Sequence, residues 1–218
     1  MIILLAGSTG LIGHELLKQL RAATDTQAIH ALVRRLPKNP PPDARLHWLQ
    51  VNFAALPALP VADTALCALG TTIKVAGSQA AFRAVDFDAV VAFARAARSA
   101  GVRRFGVVSA LGASRKSSTF YNRVKGEMEA AVGAIGFDSL VIARPSLLLG
   151  QRAALGQPVR LGERLGDALT RPFGSLIPKS WRPIEAATVA RALRVALQQG
   201  QPGPRVVESG EMQTLGAA

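Results

Sequence analysis

Short apolar runs alternate with amphipathic stretches along the first two thirds of the chain, and that alternation predicts the elements. Ile2 to Ala6 is a continuous apolar run ended by Gly7. Leu11 to Arg21 comes next, with Leu11, Ile12, Leu16, Leu17 and Leu20 on one side, as a helix packed on its strand would show. Further strands are predicted at Ala28 to Val33, Leu46 to Val51, Thr64 to Leu69, Phe105 to Val108 and Leu140 to Ala143. Ser78 to Ala100 reads as one helix, because Phe82, Val85, Ala89, Phe93 and Ala97 recur at spacings of three or four before Gly101. Thr119 to Ile135 reads as another, stopped by Gly136. Pro37 to Pro42 cannot be helical and is read as a loop.

After Gly150 the pattern loosens into Gly-, Pro- and Arg-rich sequence, with one helix expected near Val159 to Leu169. A last helix is expected at about Glu185 to Gln199 and a final strand at Arg205 to Glu208. Strands alternating with helices predict an α/β fold with a doubly wound parallel sheet covered on both faces. The chain of 218 residues is read as one domain, with a core of about 1–150. A small substrate cap, with the last helix and strand, is placed at about 151–218.

Ligands of such sheets lie beyond the carboxyl ends of the strands, near the switch in strand order. At the first of those ends stands Gly7-Ser8-Thr9-Gly10-Leu11-Ile12-Gly13. Glycine permits the tight turn, lets backbone N–H groups approach a pyrophosphate, and allows close packing of helix on strand. The helix N-terminus then faces the anion. A Rossmann-type dinucleotide site is therefore expected here. The end of the second strand discriminates between cofactors. An acid there would bind a ribose 2′-hydroxyl, whereas Val33-Arg34-Arg35, with no acid before Asp43, suits a 2′-phosphate. NADP(H) is thus expected in preference to NAD(H).

Ser109 ends the fifth strand, and Tyr121 and Lys125 are four apart on the next helix, hence on one face. A phenol is a weak acid, and a cation one turn away favours its phenolate. With a strand-end hydroxyl to hold the reacting oxygen, the three groups suit proton transfer coupled to hydride transfer.

Composition narrows the partners. Apolar residues make up 49% and charged residues 18%, enough for a large core. The net charge of +12 comes without a basic run and with few aromatics, so no specific nucleic-acid binding is expected. The single Cys67 allows no intrachain disulfide, and His14, His30 and His47 lie far apart without ligand spacing, so no metal site is expected. No run reaches the roughly 18–20 apolar residues of a membrane span, and Met1 to Ala6 lacks a basic leader. A soluble, cytoplasmic protein acting on a small molecule, without membrane partners, is the expectation.

The motifs AGSTGLIG at 6–13, LGTT at 69–72, FGVVSALGAS at 105–114, YNRVKGE at 121–127 and ARPSLLLG at 143–150 resemble the short-chain dehydrogenase/reductase superfamily. The resemblance is to its extended or atypical branch, and within that to the Tat-interacting-protein-like NADPH-binding proteins. It implies that Gly7, Gly10 and Gly13 hold the pyrophosphate and that Arg34 meets the 2′-phosphate. It places Asn52 and Phe53 near the adenine, Leu69, Gly70 and Thr71 by the nicotinamide-side ribose, and Arg144 and Pro145 beside the nicotinamide. Ser109 would polarise a substrate carbonyl, Tyr121 donate the proton, and Lys125 bind the ribose and tune Tyr121.

Two positions depart from the family. Asn52 stands where Asp is usual, and Asp86 falls near an Asn of the usual proton relay. Two functions stay open: an NADPH-dependent reductase or dehydrogenase of a small carbonyl or alcohol, and a non-catalytic NADPH-binding redox sensor acting through a protein partner. Dimers are common in the superfamily, which leaves a homodimer open.

Overall fold

The computed structural model describes residues 1–149, 178 and 180–217. Nine strands are found among them. They are β1 (Ile2–Ala6), β2 (Ala28–Val33), β3 (Leu46–Gln50), β4 (Thr64–Cys67), β5 (Arg104–Val108), β6 (Ser139–Arg144), β7 (Leu148–Leu149), β8 (Ile184–Glu185) and β9 (Gly203–Glu208). Seven of these form one parallel sheet in the order β3-β2-β1-β4-β5-β6-β9, and β7 pairs with β8 in a separate ribbon. The register runs Ile2↔Ala28 between β1 and β2, and Ile3↔Thr64 between β1 and β4. The chain winds outward from β1 in one direction, then returns to β4 and winds the other way. The switch point therefore lies between the carboxyl ends of β1 and β4.

The central strands are apolar throughout because both faces are covered. Ile3 and Leu5 of β1 share one core with Leu16 and Leu20 of α1 (Leu11–Ala22) and Val189 and Leu193 of α6 (Ala186–Gln198). Leu4 and Ala6 point the other way, into a core with Phe93 of α4 (Val90–Ser99) and Met128 of α5 (Phe120–Gly133).

The stretch read as one helix from Ser78 to Ala100 is built in three parts. After a short α2 (Ile73–Ala76), Ser78 caps α3 (Gln79–Arg83) by accepting from the Ala81 N–H at 3.1 Å. A π-helical stretch, Ala84–Ala89, then joins α3 to α4. A π turn inserts a residue and rotates the side chains beyond it around the helix axis. Asp86 is consequently buried while Val85, counted in the apolar stripe, is only half-buried.

The final strand begins at Gly203, two residues earlier than expected, and pairs with β6 through Ile142↔Val206. A closing helix α7 (Ser209–Leu215) was not foreseen. The helix expected near Val159 to Leu169 and most of the cap region lie outside the described residues. His30 and His47, distant in sequence, are register partners on β2 and β3, with rings stacked 5.1 Å apart.

Candidate functional site

The glycine turn sits at the switch point. Gly7 has φ of +86°, and a side chain there would come within 2.5 Å of the Ala68 backbone just after β4. A Cβ at Gly13 would overlap the Gly7 carbonyl oxygen, so α1 approaches the turn only because both positions lack side chains. The Gly10 N–H donates to that carbonyl at 2.9 Å. Gly10 is the N-cap of α1, no side chain caps the helix, and its first turn holds no acid. The first-turn N–H groups and the positive end of the helix are thus left for an anion. Ser8 is buried in the turn with its hydroxyl unpartnered among the described residues, Thr9 is exposed, and Leu11 and Ile12 are buried. A cradle closed to side chains and lined with backbone donors fits a pyrophosphate.

Arg34 and Arg35 come directly after β2 as exposed side chains. Asn52 is exposed after β3, and its Oδ1 accepts from the Ala54 N–H at 3.0 Å. Phe53 is buried in the same core as Leu32 and Val51. Its side chain is a packing element beneath the loop.

Leu69, Gly70 and Thr71 leave β4 beside the glycine turn. A Cβ at Gly70 would stand 3.3 Å from Asp86 Oδ1 and 3.8 Å from Lys125 Nζ. Lys125 and Asp86 are both buried, and Lys125 Nζ lies 2.7 Å from Asp86 Oδ1. Asp86 Oδ2 accepts from the Thr71 N–H at 2.8 Å. Burial pushes the Lys125 ammonium toward losing its proton, but the Asp86 carboxylate, with Tyr121 next, outweighs that and holds it charged beyond its usual range. Tyr121 is one turn back on α5, its ring 5.2 Å from that of Phe82. Asp86 is therefore the counter-ion of Lys125.

Ser109 is brought to a different partner. Its hydroxyl donates to Glu129 Oε1 at 2.5 Å, and its N–H donates to the Ala143 carbonyl at 2.7 Å. Arg144 closes on the same carboxylate, Nε to Oε1 at 2.9 Å and a terminal nitrogen to Oε2 at 2.5 Å, and reaches Glu208 Oε1 of β9 at 3.1 Å. These bonds, first those to Glu129, raise the proton affinity of the guanidinium further. Arg144, expected beside the nicotinamide, thus spends its donors on two glutamates, while Pro145 is buried. Glu129 was not anticipated. The signal lay in the spacing, since Tyr121, Lys125 and Glu129 are each four apart on α5 and share a face.

A family model described as NAD(P)H-binding matches residues 7–163. Among curated relatives, "Protein FMP52, mitochondrial" of Eremothecium gossypii is 34% identical over 99% of this chain and 97% of its own length. "Protein fmp52, mitochondrial" of Emericella nidulans is 36% identical over 81% of this chain and 76% of its own. "Protein HTATIP2" of Rattus norvegicus is 36% identical over 73% of this chain and 60% of its own. The fold is that of solved NAD complexes. The structure titled "MoeE5 in complex with UDP-glucose and NAD" superposes with a TM-score of 0.71 at 18% identity, covering 100% of this chain and 81% of that one. The names of the fungal relatives overturn the cytoplasmic expectation. Among the described residues, no helix is long and apolar enough to cross a membrane.

Proposed function

The chain belongs to the NAD(P)H-binding family, in the atypical short-chain dehydrogenase/reductase group of the FMP52 and HTATIP2 proteins, and from that premise we propose that it is an NADPH-dependent oxidoreductase of a small carbonyl or alcohol substrate. The observation that carries the reading is the place of Lys125. Its ammonium stands against Gly70 at the switch point, beside the glycine turn and one helical turn from the chain's single tyrosine.

The residues divide the work. Gly7, Gly10 and Gly13 keep the α1 N-terminus open to the pyrophosphate, and Arg34 with Arg35 offers donors to a 2′-phosphate. Bound NADPH supplies the hydride. Tyr121 gives its hydroxyl proton to the oxygen of the reduced carbonyl, and the proton is replaced from solvent. Lys125 holds the ribose edge and the electrostatics of Tyr121. Ser109 has turned its proton to Glu129, so it meets the product alcohol as an acceptor.

A second reading, cofactor binding without turnover, is favoured by the direct contact of Lys125 with Asp86, which engages the ammonium that the first reading turns to the ribose. One experiment separates the two. Aldehydes, ketones and quinones are screened for NADPH oxidation, and the best substrate is repeated with Tyr121→Phe. Turnover should fall by roughly the 10²–10⁴-fold that a positioned acid contributes, with NADPH affinity retained. Unchanged turnover in the variant refutes the role of Tyr121. A screen with no turnover at all, while NADPH still binds, selects the second reading.

A further inference from the structure

We propose that Asp86 is a positioning residue that neutralises Lys125 and thereby keeps Tyr121 in its protonated form, setting the site for carbonyl reduction rather than alcohol oxidation. The direction of reaction rests on the reductase reading above. The electrostatic role of Asp86 does not.

The placement is built into the fold. The π-helical stretch turns Asp86 inward until it is fully buried, and the Thr71 N–H fixes one carboxylate oxygen at 2.8 Å so that the other meets Lys125 Nζ at 2.7 Å. An unpaired lysine beside a phenol would draw out the phenolate, because a buried cation seeks the nearest anion. Here that anion is already supplied. With Asp86 ionised, the Lys125–Asp86 pair is neutral, and Tyr121 gains little from giving up its proton.

Among the described residues, neighbouring elements bring titratable groups that are uncharged or already paired. On β4, burial pushes the Cys67 thiol up to about 12, so it brings no charge. On α3, Arg83 pairs with Glu127 of α5 at 2.5 Å. Further along α5, Glu129 is paired by Arg144, which also reaches Glu208. The Asp86 carboxylate is thus the charge that answers Lys125. The same counter-charge also holds the Lys125 ammonium on, against its burial.

The chain's single tyrosine makes the test direct, since the near-ultraviolet absorbance of phenolate reports Tyr121 alone and needs no substrate. In Asp86→Asn, which keeps an oxygen for the Thr71 N–H, the midpoint of phenolate formation should fall by about one unit or more relative to wild type, the usual effect of an uncompensated neighbouring cation. Adding Lys125→Met should abolish the fall, and Asp86→Glu should restore the wild-type midpoint. In any carbonyl substrate assay, the alkaline limb of the Asp86→Asn profile should move to lower pH. An unchanged or raised midpoint in Asp86→Asn, or a fall that survives removal of Lys125, overturns the proposal. Should Asp86→Asn not fold, Lys125→Met alone must raise the midpoint, because it removes the cation one helical turn from the phenol and leaves the Asp86 charge unanswered, and a midpoint that stays or falls refutes the idea. A failed substrate screen would remove the reductase reading and leave this titration standing.

Discussion

Ser109 donates to Glu129 Oε1 at 2.5 Å while Arg144 grips both oxygens of that carboxylate, so three residues from β6, α5 and the end of β5 share one buried charge. Removing the carboxylate takes the acceptor from Ser109 and leaves Arg144 only Glu208 among the described residues. Glu129→Ala should therefore cost about 3 kcal/mol, the lower end for breaking a buried pair because Arg144 keeps some solvent contact. In a chain of this size that corresponds to a melting temperature lower by about 2–4 °C per kcal/mol. Calorimetry checks it, and a loss no larger than that of a surface substitution would show that the cluster is not coupled.

Gly13→Ala should damage both fold and cofactor binding. The added methyl would overlap the Gly7 carbonyl oxygen, and backbone cannot move aside as a side-chain tip can. Overpacking of this kind costs about 1–3 kcal/mol. NADPH fluorescence titration should show weakened binding even at temperatures where the variant remains folded by circular dichroism.

Arg34→Ala should weaken NADPH and spare NADH. Arg34 makes no ion pair with a described residue, so its guanidinium is available to a 2′-phosphate. A charged hydrogen bond contributes about 1.5–3 kcal/mol, or roughly 10- to 100-fold in affinity. Isothermal titration of both cofactors decides this, and equal wild-type affinities would end the preference for NADPH.

Asp43 should tie stability to acid pH. It pairs with Arg21 at 3.0 Å and with Arg45 at 3.2 Å, fastening the proline-rich loop to α1. The Arg45 N–H, then the Arg45 and Arg21 side chains, hold its carboxyl down at about 2. A depressed folded value stabilises above the unfolded value of about 3.9 and ceases to do so as pH falls through the folded one. The melting-temperature gap between wild type and Asp43→Asn should thus be full at neutral pH and close between about pH 4 and pH 2. A gap independent of pH would show that the clasp is steric.

The features that the sequence determined by itself were local in origin. The apolar runs Ile2–Ala6 and Ala28–Val33 are strands at the expected positions, because a strand buried on both faces must be apolar at successive positions. The glycine turn was legible because a missing side chain is a property of single residues, and its place between a strand and a helix is set by neighbouring sequence. Tyr121 and Lys125 were legible as a pair because helical periodicity fixes which residues share a face. The cytoplasmic expectation failed for a different reason, since the apolar pattern that sets a fold does not set a location.

Only the tertiary structure decided which side chains answer one another. Thr71 meets Asp86 across 15 residues, Ser109 meets Glu129 across 20, and Arg144 meets Glu208 across 64. A carboxylate on an amphipathic helix has the same local propensity whether it faces water or a buried lysine. The π-helical stretch that turns Asp86 inward breaks the very period by which Val85 was assigned to the core. The parallel crossovers then bring the ends of β4, β5 and β6 side by side, where α5 lays Lys125 and Glu129 across them. Charge pairing at that edge depends on chain geometry summed over many residues, which no window of sequence contains.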